Sequence, residues 1–265
     1  MTRQTRRAYI CQRAQASPEV TVQGLTRELG VSAMTVRRDL RALAHSGMLM
    51  RTHGGAVATE RVGFEFAFRR DSEHMLDAKR AIAAVAAGLV QDGQRVLLDT
   101  GTTTLEVARA LALRRRLTVV TTSLAIVSAL QFASGIDTIL LGGFLRSGSP
   151  DLWGPITERN LAELHVEWAF VGADAVDGVG QFYCNDLNVA RLAGRMMQAA
   201  DSVYVVADSS KFGRKGLMRF GGPPDVDGVI VDGALDEATV AGLARAGLNV
   251  LAAEIGEGRG EGVRQ

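Results

Sequence analysis

Apolar residues recur at helical spacing over the first 45 residues of the chain, in three separate stretches. The first stretch covers 6–14 and ends before Pro18, because proline interrupts a helix. The second covers 22–29 and the third covers 33–45. The positions expected to face inward are Tyr9, Ile10, Ala14, Val22, Leu25, Leu29, Val36, Leu40 and Leu43. The spacing predicts three short helices packed around one small core.

A short turn and a β wing complete this first region. Residues 30–32 form the predicted turn between the second and third helices, and Gly47 is expected to end the third. A short strand is predicted at 48–51, followed by a glycine turn over 52–56. Helix, three-residue turn, helix and wing together predict a winged helix-turn-helix domain over residues 1–57.

Beyond a charged, aperiodic linker predicted at 58–77, strand-like runs alternate with helical ones. The predicted strands are 96–99, 117–121, 138–141, 168–172, 203–208, 228–231 and 249–251. The predicted helices are 79–90, 104–113, 124–132, 157–164, 188–199 and 236–246. Apolar strands separated by helices predict a doubly wound, mostly parallel α/β domain over 78–255. The glycine-rich, charged tail at 256–265 is predicted to be disordered.

Composition places the chain among folded proteins. It has 265 residues, of which 47% are hydrophobic, and a net charge of +1, which excludes collagen, disulfide scaffolds and disordered chains. Its longest apolar run, about residues 81–90, is much shorter than the roughly 20 residues that span a bilayer. Cys11 and Cys184 lie far apart and fit no metal or redox spacing. We therefore expect a cytoplasmic protein without membrane contact, metal site or cofactor.

The near-zero net charge conceals an asymmetry. Residues 1–56 contain nine arginines, no lysine and three acidic residues, so the first domain carries +6 and the remainder −5. A basic domain joined to a mildly acidic one indicates a module that binds a polyanion, attached to a module that does not.

The third helix has an exposed face suited to double-stranded DNA. If its apolar stripe faces inward, adjacent arginines point outward, where they can bind guanine edges or phosphates in the major groove. The alternative is a solvated arginine face paired with Asp39 and Glu28. The predicted DNA-binding residues, including two from the wing, are Ser32, Met34, Thr35, Arg37, Arg38, Arg41, Arg51 and His53.

A second candidate site follows from the predicted sheet. Hydroxyl, glycine and acidic residues, with one lysine, come directly after its strands, and the carboxyl ends of parallel strands share one edge. The predicted effector-binding residues are Asp99, Gly101, Thr102, Thr103, Thr121, Thr122, Ser123, Gly142, Gly143, Gly172, Asp208 and Lys211. Backbone amides and Lys211 could hold a phosphate, while Asp99 and Asp208 accept from sugar hydroxyls. For each loop alone, a Ser/Thr helix cap is the simpler interpretation.

The sequence VSAMTVRRDL at 31–40, followed by HGGA at 53–56, resembles the DNA-binding domain of the DeoR/GlpR family of bacterial transcriptional regulators. The later segments DTGTT, GG and DSSKFG resemble the sensor motifs of that family. The resemblance covers nearly the whole chain. It implies a domain that binds operator DNA, a domain that senses a phosphorylated sugar, assembly into a dimer or tetramer, and usually repression of sugar catabolic genes.

The sequence departs from the family pattern in the predicted helix at 188–199. Many relatives have an acidic residue and a Lys-Arg pair there, whereas this chain has Val189, Ala193 and Gly194. In addition, Thr122 stands where asparagine is common. These differences affect the sugar end of the expected site, so they leave the identity of the effector open.

Two other functions fit parts of the sequence. A sugar-phosphate isomerase-like enzyme could use Asp99 or Asp208 as a base and Lys211 to stabilise an enediolate. That function leaves the basic first domain unexplained. A structural nucleoid protein would explain the basic domain but not the predicted ligand-binding edge.

Overall fold

The computed structural model describes residues 3–17, 19–45, 49–52, 54–58, 74–146 and 149–255. The chain divides into two compact units, one up to Asp71 and the other from Ser72, which we call the head and the sensor. Most of the predicted linker and the whole predicted tail lie outside the described residues, as do Gly47 and His53.

The head contains three helices and a small antiparallel sheet. Its elements are α1 (Arg3–Ala16), β1 (Val20–Thr21), α2 (Val22–Leu29), α3 (Ala33–His45), β2 (Leu49–Arg51) and β3 (Gly55–Ala58). Strand β3 lies between β1 and β2 and pairs antiparallel with both. The sequence did not predict β1, because a two-residue strand has no detectable period.

Side-chain and glycine caps fix the helix ends in the head. Thr21 accepts a hydrogen bond from the backbone N–H of Gly24 at 3.0 Å and begins α2. Gly30 ends α2 in the left-handed conformation, with φ of 62°. Ser32 accepts from the N–H of Thr35 at 3.2 Å and begins α3. The helix-turn-helix geometry therefore follows from local sequence.

The predicted apolar stripes form the core of the head. Most of their members are buried, and Tyr9, Val22 and Leu29 are half-buried. The buried members are Ile10, Ala14, Leu25, Val36, Leu40 and Leu43. Gly55 lets the wing close against this core, because a Cβ atom there would lie 1.9 Å from the carbonyl oxygen of Val20.

A buried ion pair joins α1 to α3. Asp39 is fully buried, and its carboxylate lies 2.6 Å from Arg6 Nε and 3.0 Å from Arg7 Nε. Burial raises the pKa of Asp39, but hydrogen bonds from the two guanidinium groups outweigh it and hold the pKa below its usual value.

The sensor is a layered α/β domain. Its helices are α4 (Leu76–Leu89), α5 (Thr102–Leu111), α6 (Leu124–Leu130), α7 (Pro155–Ala162), α8 (Leu187–Gln198) and α9 (Glu237–Arg245). Its strands are β4 (Arg95–Leu98), β5 (Leu117–Thr121), β6 (Ile136–Leu140), β7 (Phe144–Leu145), β8 (Leu152–Trp153), β9 (Val166–Gly172), β10 (Ala175–Val176), β11 (Phe182–Cys184), β12 (Ala200–Val206), β13 (Met218–Gly221), β14 (Gly228–Asp232) and β15 (Asn249–Ala253).

Seven of these strands form one parallel sheet in the order β6-β5-β4-β9-β12-β14-β15. The chain first builds outward from β4 to β6, then returns to β9 on the other side of β4 and builds in the opposite direction. This doubly wound order has its switch point between β4 and β9. The predicted fold class is therefore confirmed.

Several short elements were not predicted. Strands β10, β11 and β13 form a separate antiparallel sheet, and β7 pairs with β8. Helix α4 also begins three residues earlier than predicted, at Leu76. Strands of two to four residues contain too few positions for a clear alternating pattern, so only tertiary pairing defines them.

We predict that Asp39→Ala destabilises the head by about 3–5 kcal/mol, because it leaves the buried charge of Arg6 unpaired. Since the pKa of Asp39 is lowered in the folded state, the pair stabilises the head at neutral pH, and this stability is lost as pH falls through the folded-state pKa. Hydrogen exchange of the α3 amides in the full chain measures the effect. Glu28→Gln, which removes the exposed partner of Arg13, is the control and should cost much less, because exposed ion pairs contribute little to stability. Equal costs for both variants would contradict the prediction.

Candidate DNA-binding and effector sites

Helix α3 presents three exposed arginines. Arg37, Arg38 and Arg41 lie outside the core stripe, and none forms an ion pair with a residue that the structure describes. Met34, on the same helix, is 77% exposed. A helix with unpaired guanidinium groups on its outer face can bind the phosphates and guanine edges of a major groove.

The acidic residues that could neutralise this face are paired elsewhere. Asp39 binds Arg6 and Arg7. Glu28 accepts from Arg13 at 2.9 Å and from the Tyr9 hydroxyl at 3.1 Å, and the hydrogen bond from Arg13 lowers its pKa. The alternative in which Asp39 and Glu28 pair with the exposed arginines of α3 is therefore wrong.

The other predicted DNA-binding residues have mixed environments. The hydroxyls of Ser32 and Thr35 lie 3.0 Å apart, so both help to begin α3. Arg51 is exposed on β2, and His53 lies outside the described residues.

A groove between α2, α3 and the wing is lined by Thr21, Val22, Gln23, Thr26, Arg27, Ala33, Arg37, Arg51 and Gly54. Sequence reasoning missed Gln23 and Arg27, although their spacing of four residues places them on one face of α2.

The sensor brings Asp99 and Gly172 together at the switch point of the sheet. Asp99 follows β4, Gly172 ends β9, and Asp99 Oδ2 accepts from the Gly172 N–H at 3.1 Å. Open α/β sheets bind ligands at this position, because the loops on either side diverge and leave a crevice.

Asp99 is buried, with 4% of its surface exposed. Burial raises the pKa of Asp99 to about 7, against the opposing effect of hydrogen bonds from the backbone of Thr100 and Gly172. The carboxylates of Asp151 and Asp174 raise it further. Near neutral pH this group is divided between its neutral and charged forms, so it can either donate to a ligand or accept from one.

The N-terminus of α5 has no side-chain cap. The residue before it is Gly101, which has no side chain to offer. The Thr104 hydroxyl donates to the carbonyl oxygen of Asp99 at 2.8 Å, and Thr103 is buried, while Thr102 is half-exposed. Amides of an uncapped first turn, together with the positive end of the helix dipole, form an anion-binding position.

The loop after β5 is closed by its own hydrogen bonds. Ser123 Oγ accepts from the Ile126 N–H at 3.3 Å and caps α6, and Thr121 Oγ1 accepts from the Ser123 N–H at 3.1 Å. Thr122 Oγ1 lies 3.1 Å from Thr100 Oγ1, which connects this loop to the loop after β4. Ser123 is therefore a helix cap, as in the simpler interpretation, and Thr121 closes the turn before it.

Gly142 and Gly143 both contact helix α7, but only Gly143 is needed for close packing of the backbone. The Gly142 carbonyl oxygen accepts from the Thr157 hydroxyl at 2.6 Å. At Gly143, with φ of 153°, a Cβ atom would lie 2.2 Å from Thr157 Oγ1 and 2.5 Å from the Trp153 carbonyl oxygen. These glycines hold the β7–β8 hairpin against α7.

Asp208 carries the clearest unsatisfied polar atom at this edge. Its side chain is fully buried, and Oδ1 accepts from the N–H and the hydroxyl of Ser210. Oδ2 accepts no hydrogen bond from any residue that the structure describes. Lys211 is half-exposed and forms no ion pair within the same described residues. A buried acceptor without a partner indicates a donor that is supplied by a ligand or by water.

Sequence reasoning missed Asp232, which ends β14 at the same edge. Its carboxylate accepts from the Ser209 N–H at 2.8 Å and from the Ser209 hydroxyl at 2.9 Å. It therefore positions the loop that carries Asp208 and Lys211. Its place at the end of an apolar strand was the available signal.

The departures from the family pattern lie on α8. Ala193 is buried, and a Cβ atom at Gly194 would meet nothing within 4 Å. Arg191 is exposed and binds Glu158 at 2.9 Å, while Arg195 donates to Gln198 at 3.1 Å. Both arginines are thus engaged with surface partners.

Cys184 and His165, whose side chains could in principle react or bind a metal, have ordinary protein partners. Cys184 is buried, donates to the Asp186 carbonyl oxygen at 3.2 Å, and has a pKa raised by burial. His165 lies 3.1 Å from Asp201 on the surface.

Across the described ranges, no group of three or more His, Cys, Asp or Glu residues could hold a metal ion. Within the same ranges, no helix is both long and apolar enough to cross a membrane.

Two family models match the chain in succession. Residues 6–62 match the DeoR-like helix-turn-helix domain. Residues 74–233 match the DeoR C terminal sensor domain.

Characterised relatives match over most of their length. The chain is 35% identical to the HTH-type transcriptional regulator GlpR of Haloferax volcanii, over 87% of this chain and 90% of the relative. It is 34% identical to the transcriptional repressor AccR of Agrobacterium fabrum, over 86% and 89%.

Among solved structures, ribose 5-phosphate isomerase A of Methanocaldococcus jannaschii aligns with a TM-score of 0.40 and 23% identity. The alignment covers 52% of this chain and 55% of that one. The matches to both domains and to the full-length relatives identify the chain as a member of the DeoR family, a DNA-binding transcriptional regulator with a helix-turn-helix domain and a C-terminal sensor domain.

Proposed function

We propose that this regulator represses genes of sugar or carbohydrate metabolism and that a phosphorylated sugar-like metabolite tunes its affinity for operator DNA. The observation that supports it most directly is that one edge of the parallel sheet carries two open binding positions. These are the uncapped N-terminus of α5 and the Asp208 oxygen that has no partner among the described residues. One of these positions suits an anion, and the other suits a hydroxyl donor.

In the head, Arg37, Arg38 and Arg41 carry the DNA contacts, with Arg51 on the wing. Their exposure and the lack of ion pairs with described residues support this role. Arginine binds guanine bidentately or binds phosphate, and the N-terminus of α3 favours a phosphate oxygen nearby. The proposed DNA-binding surface also includes Ser32, Met34 and Thr35. The proposal does not require every residue of this surface to contact a base.

In the sensor, the first-turn amides of α5 and the ammonium group of Lys211 hold the phosphate of the effector. Asp208 Oδ2 accepts from a hydroxyl, and Asp99 contacts the ligand at the switch point. Gly172 contributes by fixing Asp99. Thr121, Ser123, Gly142 and Gly143 act by holding the loops in place.

Regulation follows from linkage between the two sites. An effector that binds the conformation with weak DNA affinity more tightly lowers operator affinity by the same coupling free energy, typically about 1–3 kcal/mol or 5–150-fold. We propose a homo-oligomer, a dimer or a tetramer, because paired heads match the symmetric half-sites of operators.

A sugar-phosphate isomerase-like enzyme is the second candidate, and the buried Asp99 with its pKa of about 7 favours it, because a base near neutrality suits proton abstraction. We propose that the domain binds without turnover. An isomerase assay with ribose 5-phosphate, at protein concentrations that saturate binding, separates the two functions.

We predict that replacing both Arg37 and Arg38 with alanine weakens specific operator binding by at least about a hundredfold, because two charged contacts to bases or phosphates are lost. Fluorescence anisotropy on the DNA upstream of the protein's own gene, at one fixed salt concentration, measures the effect. Replacing exposed Arg115 and Arg159 of the sensor removes the same charge and should change binding little. Retained operator binding by the first variant would contradict the proposed surface.

We predict that Lys211→Ala weakens binding of inorganic phosphate and sugar phosphates by about 10–100-fold, because a charge-assisted hydrogen bond is lost. Calorimetric titration of the full chain measures it. Lys215→Ala, at an exposed lysine four residues away, is the matched control. Operator binding without ligand should stay unchanged in both variants. Equal phosphate affinity in both would place the phosphate elsewhere.

We predict that sulfate binding weakens several-fold between pH 6 and pH 8, because Asp99 ionises through a pKa of about 7 and its charge repels the anion. Sulfate is the probe because it does not titrate in this range. Asp99→Asn cannot ionise, so its sulfate affinity should be nearly independent of pH. The same pH dependence in both proteins would assign it to another group.

A further inference from the structure

A cleft opens between the β7–β8 hairpin and the N-terminus of α8. It is lined by Phe144, Leu145, Arg146, Trp153, Asp186 and Asn188. Phe144 is 61% exposed and Leu145 is 60% exposed, although both are large apolar side chains. We propose that this cleft is the subsite that binds the ring of a cyclic sugar phosphate, an inference that rests on the proposed effector function.

One wall of the cleft is aromatic. The rings of Phe144 and Trp153 lie 6.1 Å apart at an interplanar angle of 50°. Gly154 makes this arrangement possible, because a Cβ atom there would lie 2.9 Å from the Phe144 ring. A sugar ring presents a face of C–H groups that packs on an aromatic surface, and indole offers the largest such surface.

The other wall is polar and held in place. Arg146 lies 3.1 Å from Asp151, donates to Ser149 at 2.8 Å and lies 3.6 Å from Asp186. Asp186 Oδ1 caps α8 by accepting from the Asn188 N–H at 2.8 Å. The Asn188 side chain makes no hydrogen bond with any described residue, so its amide offers both a donor and an acceptor to hydroxyls.

The charge of the cleft favours a neutral polyol over an anion. One guanidinium group faces two carboxylates, those of Asp151 and Asp186. Their net negative charge opposes a phosphate. The anion therefore belongs at the α5 N-terminus, and the cleft suits the uncharged part of the same molecule.

Two hydrogen bonds connect this cleft to the phosphate position. The Leu152 N–H donates to the Thr122 carbonyl oxygen at 2.9 Å, and Thr122 Oγ1 lies 3.1 Å from Thr100 Oγ1. Trp153 is thus one residue from a loop that contacts the segment ahead of α5. In the proposed arrangement a single ligand lies between that segment and the cleft, with its phosphate at one end and its ring at the other.

The experiment compares inorganic phosphate, glycerol 3-phosphate and a panel of ring-forming sugar phosphates that includes glucose 6-phosphate, galactose 6-phosphate, N-acetylglucosamine 6-phosphate and ribose 5-phosphate. Calorimetric titration of the full chain should show one cyclic compound binding at least tenfold more tightly than glycerol 3-phosphate. Trp153→Ala should remove about tenfold of that affinity and leave inorganic phosphate binding unchanged. Asn188→Ala should act in the same direction.

A spectroscopic measurement reports on the cleft directly. The chain has two tryptophans, and Trp168 lies in the sheet beside Phe170. Trp168→Phe therefore leaves Trp153 as the single indole, whose emission should shift with the cyclic compound and stay constant with inorganic phosphate. Unchanged emission on saturation with the cyclic compound would overturn the subsite.

Controls separate the remaining outcomes. Phe132→Ala removes a 90% exposed aromatic ring and should alter no affinity, whereas Phe144→Ala should weaken the cyclic compound. If Phe144→Ala instead lowers the assembly mass in light scattering without a change in ligand affinity, the apolar face is an interface between copies and the subsite is overturned.

Phosphate binding without any preference for rings overturns the subsite alone. Failure of phosphate and every ester to bind overturns the proposed effector function as well.

Discussion

The reversal of strand order between β4 and β9 is the constraint on which the sensor depends. Because the chain builds outward in both directions from this pair, the loops after the two strands diverge, and open α/β sheets bind ligands in the crevice at such a point. Asp99 bridges the crevice by accepting from the Gly172 N–H. Its burial places a carboxyl group that titrates near neutral pH at the center of the candidate site.

The loops around this crevice divide into two kinds. The loop after β5 is closed by Thr121 and Ser123, whose hydroxyls complete local turns. The loops after β4 and β12 are open, since α5 begins without a side-chain cap and Asp208 has an unpartnered oxygen within the described part of the chain. Polar residues at a strand end therefore either complete local turns or keep hydrogen-bonding groups without a protein partner. In the proposed site, the ligand binds the groups of the second kind.

In the head, ion pairs determine which charged groups remain available for binding. The acids that could neutralise α3 are paired with α1, through Arg6 and Arg7 at Asp39 and through Arg13 at Glu28. These pairs hold α1 in place and leave the outer arginines of α3 without described partners. One set of ion pairs thus stabilises the domain and preserves its positive face, which serves a regulator that must bind a polyanion.

The sequence by itself determined the helix-turn-helix, because its caps, its glycine C-cap and its apolar stripes act within a few residues of each other. It also determined the α/β class, since long apolar strands alternate with helices. Only the tertiary structure decided the pairing of Asp39, the switch point, the open Asp208 oxygen and the cleft beside Trp153. The ion pair, the switch point and the cleft join residues far apart in the chain, and strands β7 and β8 beside the cleft are only two residues long. Local pattern carries no information about such contacts, because they depend on which elements pack together and on how each hydrogen bond is satisfied.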